Sequence, residues 1–221
     1  MANISHEIRT PLNAIVGFSN YFTDGDVAAG SEEAKEYAAL IGRNCDDLLA
    51  LVSDILDLSR LEAGAMEYRL TDCSLEELFS DVYKKYEEKM PQNVKFNLLL
   101  PPDGLVIKTD VVRLQQVVEH LVGNAVKVTS QGHIDMGYAV GNNRDSVHLF
   151  VTDTGRGIPE EQTGKIFERF YKIDSFMQGA GVGLSVCKTI VESLGGTIGV
   201  SSQPGKGARF TLRFPLAQNA R

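Results

Sequence analysis

Two glycine-rich stretches carry the first chemical signal in the sequence. Residues 153–158 (DTGRGI) precede Pro159, and residues 179–184 (GAGVGL) open a predicted helix. Glycine lets the main chain adopt positive φ and come close to a ligand, and amides at a helix N-terminus bind phosphate. Neither stretch has the GxGxxG spacing of a dinucleotide site or the GK[ST] ending of a P-loop. They predict a phosphate-bearing ligand, although a flexible turn into a helix explains the second stretch equally well.

A predicted helix over residues 111–128 supplies the next candidates. Asn124 and Lys127 are three positions apart and therefore share a helix face. An amide oxygen on that face suits Mg²⁺, and an ammonium group suits phosphate. A solvated helix face accounts for the same pair when nothing else supports it. His6 is ambiguous in the same way, because alone it predicts only an exposed histidine on a helix.

The first 66 residues, which would position His6, predict a helical hairpin. Residues 32–61 carry apolar residues at steps of three or four, and Ser31 followed by two glutamates is a typical helix start. Residues 4–22 also have a helical pattern, which Pro11 is expected to interrupt and kink. A two-helix hairpin cannot bury its apolar stripe alone, so we expect two copies to form a four-helix bundle. Docking of the stripe on the rest of the same chain is the alternative.

From residue 67 onward the pattern alternates between strands and helices. We expect a mixed sheet that is covered by helices on one face. The predicted strands are residues 67–70, 94–100, 105–108, 133–140, 147–153, 197–201 and 209–214, and the predicted helices are residues 74–89, 111–128, 159–171 and 183–194.

Composition restricts the partners. The chain has 22 Lys plus Arg against 29 Asp plus Glu, a formal net charge of -7, which argues against nucleic acid. Residues 1–66 hold 4 basic and 11 acidic residues, so the acidic excess lies in the hairpin. The three cysteines lack CxxC spacing, which argues against a disulfide framework or a zinc knuckle. No stretch approaches the roughly 20 apolar residues that cross a bilayer, so we expect no direct membrane contact.

Five short motifs give the sequence a resemblance to sensor histidine kinases over nearly its whole length. Residues 5–12 (SHEIRTPL) resemble their H-box, 124–129 (NAVKVT) their N-box, 153–157 (DTGRG) their first glycine box, 166–171 (IFERFY) their F-box and 179–184 their second glycine box. The resemblance implies an α + α/β fold. A dimerisation and histidine phosphotransfer hairpin at residues 1–66 would precede an ATP-binding α/β sandwich at residues 67–221, of the type shared by gyrase, Hsp90, histidine kinases and MutL.

In the hairpin the resemblance implies a phosphoacceptor site. His6 would attack the γ-phosphorus of ATP while Glu7 holds the other imidazole nitrogen, which leaves the attacking lone pair free. Thr10 would position water for dephosphorylating the partner, or would serve only the turn before Pro11. The implied partners are a second copy of the chain and a response regulator receiver domain, whose aspartate takes the phosphoryl group.

In the α/β part the resemblance implies ATP and Mg²⁺ as ligands. Asp153 would accept a hydrogen bond from the adenine amino group, Asn124 would ligate Mg²⁺ and Lys127 would meet phosphate. Arg169 is a weaker candidate for phosphate contact, and a surface salt bridge is its alternative role. The other implied nucleotide contacts are Gly155, Gly157, Ile158, Gly179, Gly181, Gly183 and Leu184.

His120 departs from the family pattern, which usually has a second Asn four residues before Asn124. Imidazole is a poorer Mg²⁺ ligand than an amide oxygen, so this exchange is expected to weaken Mg²⁺ binding or to shift the metal preference. A catalytically weak nucleotide-binding dimerisation scaffold is therefore the rival hypothesis.

The position of His6 near the start leaves little helix before it. We therefore expect the chain to be a fragment with weakened dimerisation, taken from the cytoplasmic portion of a membrane-anchored sensor protein.

Overall fold

The chain folds as a helical hairpin followed by an α/β domain. The computed structural model describes residues 2–24, 28, 30–173 and 181–216. Ala2 and Asn3 are described by their backbone alone. The helices are α1 (Ala2–Thr23), α2 (Glu32–Glu62), α3 (Leu75–Glu87), α4 (Val111–Val128), α5 (Glu160–Thr163) and α6 (Gly183–Ser193), and the strands are β1 (Thr71–Ser74), β2 (Val94–Leu99), β3 (Val106–Thr109), β4 (Gly132–Val140), β5 (Ser146–Asp153), β6 (Thr197–Ser202) and β7 (Ala208–Pro215).

Contacts divide the chain into two compact units. One consists of Met1–Met66 and Arg169–Gly183, and the other of Glu67–Glu168 and Leu184–Arg221. The segment after residue 168 therefore groups with the hairpin. None of the described helices is long and apolar enough to cross a membrane.

The hairpin is held at its loop end by an aromatic cluster. The ring of Tyr37 on α2 lies 5.3 Å from that of Phe18 and 5.2 Å from that of Tyr21 on α1, measured between centroids. At the start of α2 the Ser31 hydroxyl accepts a hydrogen bond from the Ala34 amide at 3.1 Å, as the sequence predicts for a cap.

The expected interruption of α1 at Pro11 is wrong, because the helix continues from Ala2 to Thr23. Proline removes one intrahelical hydrogen bond, and that loss is tolerated where the helix also packs on α2.

Both hairpin helices expose apolar side chains. Leu49 is 68% exposed and Val16 is 51% exposed, which is unusual for residues at helical spacing on an amphipathic helix. The exposed large apolar residues of α1 and α2 are Leu12, Val16, Tyr21, Phe22, Leu49, Val52 and Leu56. A second hairpin packed on this surface would remove their area from water, so the dimer remains a prediction.

The α/β domain is built on a five-stranded mixed sheet with the order β2-β4-β5-β7-β6. β2 and β4 are parallel, and the other neighbours are antiparallel. Alternation places Phe210, Leu212 and Phe214 of β7 in the core and exposes Arg209 and Arg213. α3 and α4 pack on the sheet. The largest fully buried side chains include Phe79, Leu114, Leu121, Ile134, Met136, Leu149 and Leu212.

Two sequence predictions in this domain are wrong. Residues 67–70 form no strand, because the Arg69 amide donates to the Asp110 carboxylate at 2.8 Å and pairing with β3 begins only at Thr71. The helix predicted over residues 159–171 is limited to α5. Gly164 follows α5 directly, and Phe170 has a left-handed φ of 64° that no right-handed helix contains.

Candidate functional site

Asp153 lies at the end of β5 with 5% of its surface exposed. Its carboxylate accepts hydrogen bonds from the Gly155 amide, at 2.8 Å, and from the Ala208 amide. Burial raises the pKa of Asp153, and the two amide hydrogen bonds oppose this shift without cancelling it. The protein therefore holds a desolvated carboxylate in place at a cost, which is typical of a ligand-binding position.

The end of α4 lies beside Asp153. A Cβ on Gly155 would come within 2.5 Å of the Val128 carbonyl oxygen and 3.0 Å of Asp153 Oδ1, so only glycine fits between them. Thr129, which follows Val128, is 2% exposed, and its hydroxyl has no hydrogen-bond partner among the described residues. A buried hydroxyl of this kind can bind a ligand or a water molecule. No sequence signal singled out Thr129.

Asn124 and Lys127 lie in the last two turns of α4. Asn124 is half-buried and Lys127 is exposed. The amide and ammonium groups therefore belong to the same helix end that contacts the loop after Asp153.

A second loop, residues 203–207, interlocks with residues 154–158. The Ser202 hydroxyl accepts a hydrogen bond from the Ile158 amide at 2.8 Å and donates one to the Gly207 carbonyl at 2.7 Å. The Gly205 amide donates to the Arg156 carbonyl at 2.7 Å. This loop was not predicted as part of the site, although Pro204, Gly205 and Gly207 form a turn signal between two predicted strands.

Glycine is required where the two loops touch. Gly157 has φ 70°, and a Cβ there would lie 2.0 Å from the Gln203 carbonyl oxygen. Gly207 has φ 80°, and its Cβ would lie 1.9 Å from the Asp153 carbonyl oxygen. The loop around Asp153 is thus shaped by backbone packing that no larger residue permits.

Gly207→Ala is expected to lower the free energy of unfolding by about 3 kcal/mol, from overpacking and left-handed strain together. Gly205→Ala is the matched control, because Gly205 has φ 73° but nothing within 4 Å of its Cβ, and it is expected to lose only about 1 kcal/mol. Urea unfolding measures both. Equal losses would contradict the packing account.

His120 lies on α4 one turn before Asn124 and is half-buried. Desolvation, assisted by the Lys127 ammonium, lowers the pKa of His120 to about 4. The imidazole is therefore neutral at neutral pH and has a nitrogen lone pair.

We expect His120 to make stability depend on pH between about 4 and 6.5. The unfolded chain protonates this ring below its ordinary pKa while the folded chain does not, so stability falls as the pH decreases through this range. The loss is expected to be about 2 kcal/mol, less than the full shift implies because the ring is partly exposed. The difference between wild type and His120→Asn in urea unfolding against pH measures it.

The hairpin carries the other predicted site. His6 is exposed on α1. Glu7 is 17% exposed, and its Oε1 accepts the Lys172 ammonium at 2.5 Å. The Thr10 hydroxyl donates to the His6 carbonyl at 3.2 Å, a contact within α1 that leaves both predicted roles of Thr10 open. Arg169 forms an ion pair with Glu62, which agrees with the salt-bridge alternative.

The remaining candidates lie around the start of α6. The Gly181 carbonyl accepts the Phe170 amide at 2.8 Å, and Gly181 has φ 69°. Gly183 begins α6, and Leu184 follows it half-buried. Gly179 lies outside the described residues, so its predicted phosphate contact has no structural counterpart here.

Two family models match the chain. A His Kinase A (phospho-acceptor) domain matches residues 1–64. A Histidine kinase-, DNA gyrase B-, and HSP90-like ATPase domain matches residues 109–218. The chain belongs to the histidine kinase family. It is a histidine kinase catalytic core, and the fold class predicted from the sequence is confirmed.

Named relatives of this histidine kinase are much longer than the chain. The signal transduction histidine-protein kinase BarA of Escherichia coli (strain K12) is 31% identical over 233 residues, which cover 99% of the chain and 24% of BarA. The sensor protein SrrB of Staphylococcus aureus (strain NCTC 8325 / PS 47) is 32% identical over 222 residues, covering 97% of the chain and 37% of SrrB. The chain therefore spans less than half the length of these curated relatives.

Solved histidine kinases have the same architecture. Full-length ShkA in complex with AMPPNP is 32% identical with a TM-score of 0.70, covering 100% of the chain and 46% of ShkA. The nucleotide-free catalytic domain of ThkA is 33% identical with a TM-score of 0.59, covering 68% of the chain and 98% of that domain. ThkA in complex with the response regulator protein TrrA is 29% identical with a TM-score of 0.71, covering 100% of the chain and 62% of ThkA.

Proposed function

We propose that the chain is an ATP-dependent protein histidine kinase that autophosphorylates on His6. The observation that carries this is an exposed imidazole next to a half-buried carboxylate, within the phospho-acceptor domain. An exposed nucleophile can reach a nucleotide without rearrangement of a core. The half-buried Glu7 is restricted in its orientation, as a group that orients the imidazole must be.

In the proposed step an imidazole nitrogen of His6 attacks the γ-phosphorus of ATP. The new P–N bond forms as the bond from the γ-phosphorus to the bridging oxygen breaks, and ADP leaves with that oxygen and its electron pair. Glu7 accepts the proton from the other imidazole nitrogen, which keeps the product neutral at the ring. Onward transfer moves the phosphoryl group from His6 to an aspartate of a response regulator receiver, and the ThkA–TrrA complex supports this class of partner.

ATP is the proposed nucleotide. The Asp153 carboxylate is held by backbone amides and can accept a hydrogen bond from the adenine amino group. Guanine has a carbonyl oxygen at that position, which has no proton to donate. Gly155, Gly157 and the buried Ile158 line the approach to it. The AMPPNP complex of ShkA supports an adenine nucleotide. Contacts of phosphate with Lys127, Arg169 and the second glycine box remain proposals.

The donor set of α4 fits a divalent cation. The half-buried Asn124 amide oxygen is a suitable ligand for Mg²⁺, and the neutral His120 ring offers a nitrogen in place of the usual second amide. When bound, Mg²⁺ offsets phosphate charge in the transfer. Asn124 would hold it, while His120 makes this site more favourable to Mn²⁺ than a site with two amides.

Incubation with γ-labelled ATP and Mg²⁺ tests the proposed function. We expect a label on the protein that is stable in base and labile in acid, as a phosphohistidine is. The rival function, a nucleotide-binding scaffold, is favoured by the His120 exchange and predicts nucleotide binding without label. A label that is stable in acid would contradict both.

Three further roles belong to the proposal. The exposed apolar side chains of α1 and α2 support a homodimer through the hairpin. Thr10 is the candidate for activating water when the same hairpin dephosphorylates the receiver, because its hydroxyl oxygen can still accept a hydrogen bond while donating to the His6 carbonyl. The chain would be the cytoplasmic portion of a membrane-anchored sensor.

A further inference from the structure

A short segment, residues 169–172, is tied to both helices of the hairpin. The ammonium nitrogen of Lys172 lies 2.5 Å from Oε1 of Glu7 on α1, and Arg169 forms an ion pair with Glu62 at the end of α2. The segment belongs to the same compact unit as the hairpin. The first and the last residue of segment 169–172 therefore anchor it on the hairpin.

The two ion pairs differ in burial. The side chains of Lys172 and Glu7 are each 17% exposed, whereas those of Arg169 and Glu62 are 47% and 56% exposed. An exposed pair is screened by water and salt and contributes little. A half-buried pair is screened less, and removal of one partner leaves a desolvated charge behind. The pair of Lys172 and Glu7 is therefore the stronger anchor.

The two residues between these ion pairs pack against Gly181 of the second glycine box. The Phe170 amide donates a hydrogen bond to the Gly181 carbonyl at 2.8 Å. Gly181 has a left-handed φ of 69°, and a Cβ there would lie 2.7 Å from the Tyr171 carbonyl oxygen and 2.9 Å from the Phe170 carbonyl carbon. The backbone of segment 169–172 therefore holds the backbone of Gly181.

These contacts form one continuous path from the hairpin to a predicted nucleotide contact. Glu7 holds Lys172, and the backbone next to Lys172 holds Gly181. A loop that is already held in one conformation loses less freedom when a ligand binds, so anchoring of this kind increases affinity.

We propose that Lys172 is a positioning residue for nucleotide binding, which acts by anchoring on Glu7 the segment that holds Gly181. This inference rests on the proposed function, in which Gly181 contacts the nucleotide. It does not depend on how the Glu7 carboxylate is oriented toward His6. Linkage makes the effect reciprocal, so a bound nucleotide also strengthens the hold of the hairpin on segment 169–172.

Calorimetric titration with AMPPNP and Mg²⁺ tests the anchor by binding alone, without phosphoryl transfer. Lys172→Met keeps the aliphatic stem and removes the ammonium group, and it is expected to weaken AMPPNP binding about fivefold. Lys172→Arg retains the ion pair and should bind as the wild type does. Lys35→Met removes an exposed ion pair of α2 and serves as the matched control, with no expected change.

Glu7→Gln distinguishes an anchor from a direct contact of Lys172 with phosphate. It breaks the same ion pair from the hairpin side, so it should weaken AMPPNP binding by the same factor, and the double variant should bind no more weakly than either single variant. A direct contact predicts the reverse, because Glu7→Gln would free the ammonium group for the nucleotide. Tighter binding by Glu7→Gln therefore overturns the anchor.

Amide hydrogen exchange provides a readout at the segment itself. The Phe170 amide of nucleotide-free Lys172→Met should exchange about fivefold faster than that of the wild type, and saturating AMPPNP should slow this exchange in the wild type. Circular dichroism confirms that each variant is folded. Folded variants that bind AMPPNP as tightly as the wild type, or a wild-type exchange rate that AMPPNP leaves unchanged, overturn the anchor and leave the proposed function intact. If the wild type does not bind AMPPNP, both proposals are wrong.

Discussion

His6→Gln is expected to abolish phosphorylation of the protein, reducing label incorporation by at least about a thousandfold. Glutamine is similar in size and polar, but its amide nitrogen has no lone pair that can attack phosphorus. Because His6 is exposed, the substitution should change the free energy of unfolding by less than about 0.5 kcal/mol. The loss would therefore report chemistry and not stability.

His133→Gln is the control for this experiment. His133 is a histidine of β4 whose side chain is 45% exposed, and its replacement should leave the label unchanged. Label that persists in His6→Gln but disappears in another histidine variant would mean that the phosphoacceptor was assigned to the wrong residue.

Asp153→Asn is expected to weaken ATP binding by about a hundredfold or more, since buried polar recognition sites reject mismatched partners strongly. The amide nitrogen that replaces one carboxylate oxygen cannot accept a hydrogen bond. Fluorescence or calorimetric titration with an ATP analogue measures the change. Asp72→Asn, on the exposed part of β1, should bind the analogue as the wild type does.

The free energy of unfolding of Asp153→Asn should not fall with its ATP affinity. Burial raises the pKa of this carboxyl, so the folded chain binds its proton more tightly than the unfolded chain does. Its contribution to stability therefore decreases as the pH rises through this raised pKa, and at pH 7 the buried charge is a cost. We expect Asp153→Asn to be at least as stable as the wild type at pH 7. A large loss of stability would show that Asp153 serves mainly the fold.

The helices with a regular apolar period could be predicted from the sequence. α4 has the predicted bounds, because buried residues recur at steps of three and four from Leu114 to Ala125 and Asp110 caps its start. α5 could not be predicted to end after four residues. The left-handed φ of Phe170 has no local sequence signal, and the partner of its amide is the Gly181 carbonyl, eleven residues further along the chain.

The parts of the site that the sequence analysis missed depend on distant residues. Ile158 and Ser202 are separated by 44 positions, and Glu7 and Lys172 by 165. A motif shows which groups are available within a few residues, whereas these partners are chosen by the fold. The glycine-box and H-box motifs therefore predicted the candidate residues, but not the contacts that hold Asp153 and Glu7.

The hydrogen bonds of Ser202 also set the order in which the nucleotide site can be completed during synthesis. A ribosome adds residues from the N-terminus, so Asp153 and Ile158 emerge well before their partners in residues 202–208. Until β7 is available, the Asp153 carboxylate lacks the hydrogen bond from the Ala208 amide. The Ser202 hydroxyl also lacks its acceptor, the Gly207 carbonyl. A nascent chain can thus form the hairpin early, but it becomes able to bind nucleotide only after nearly the whole domain has left the ribosome.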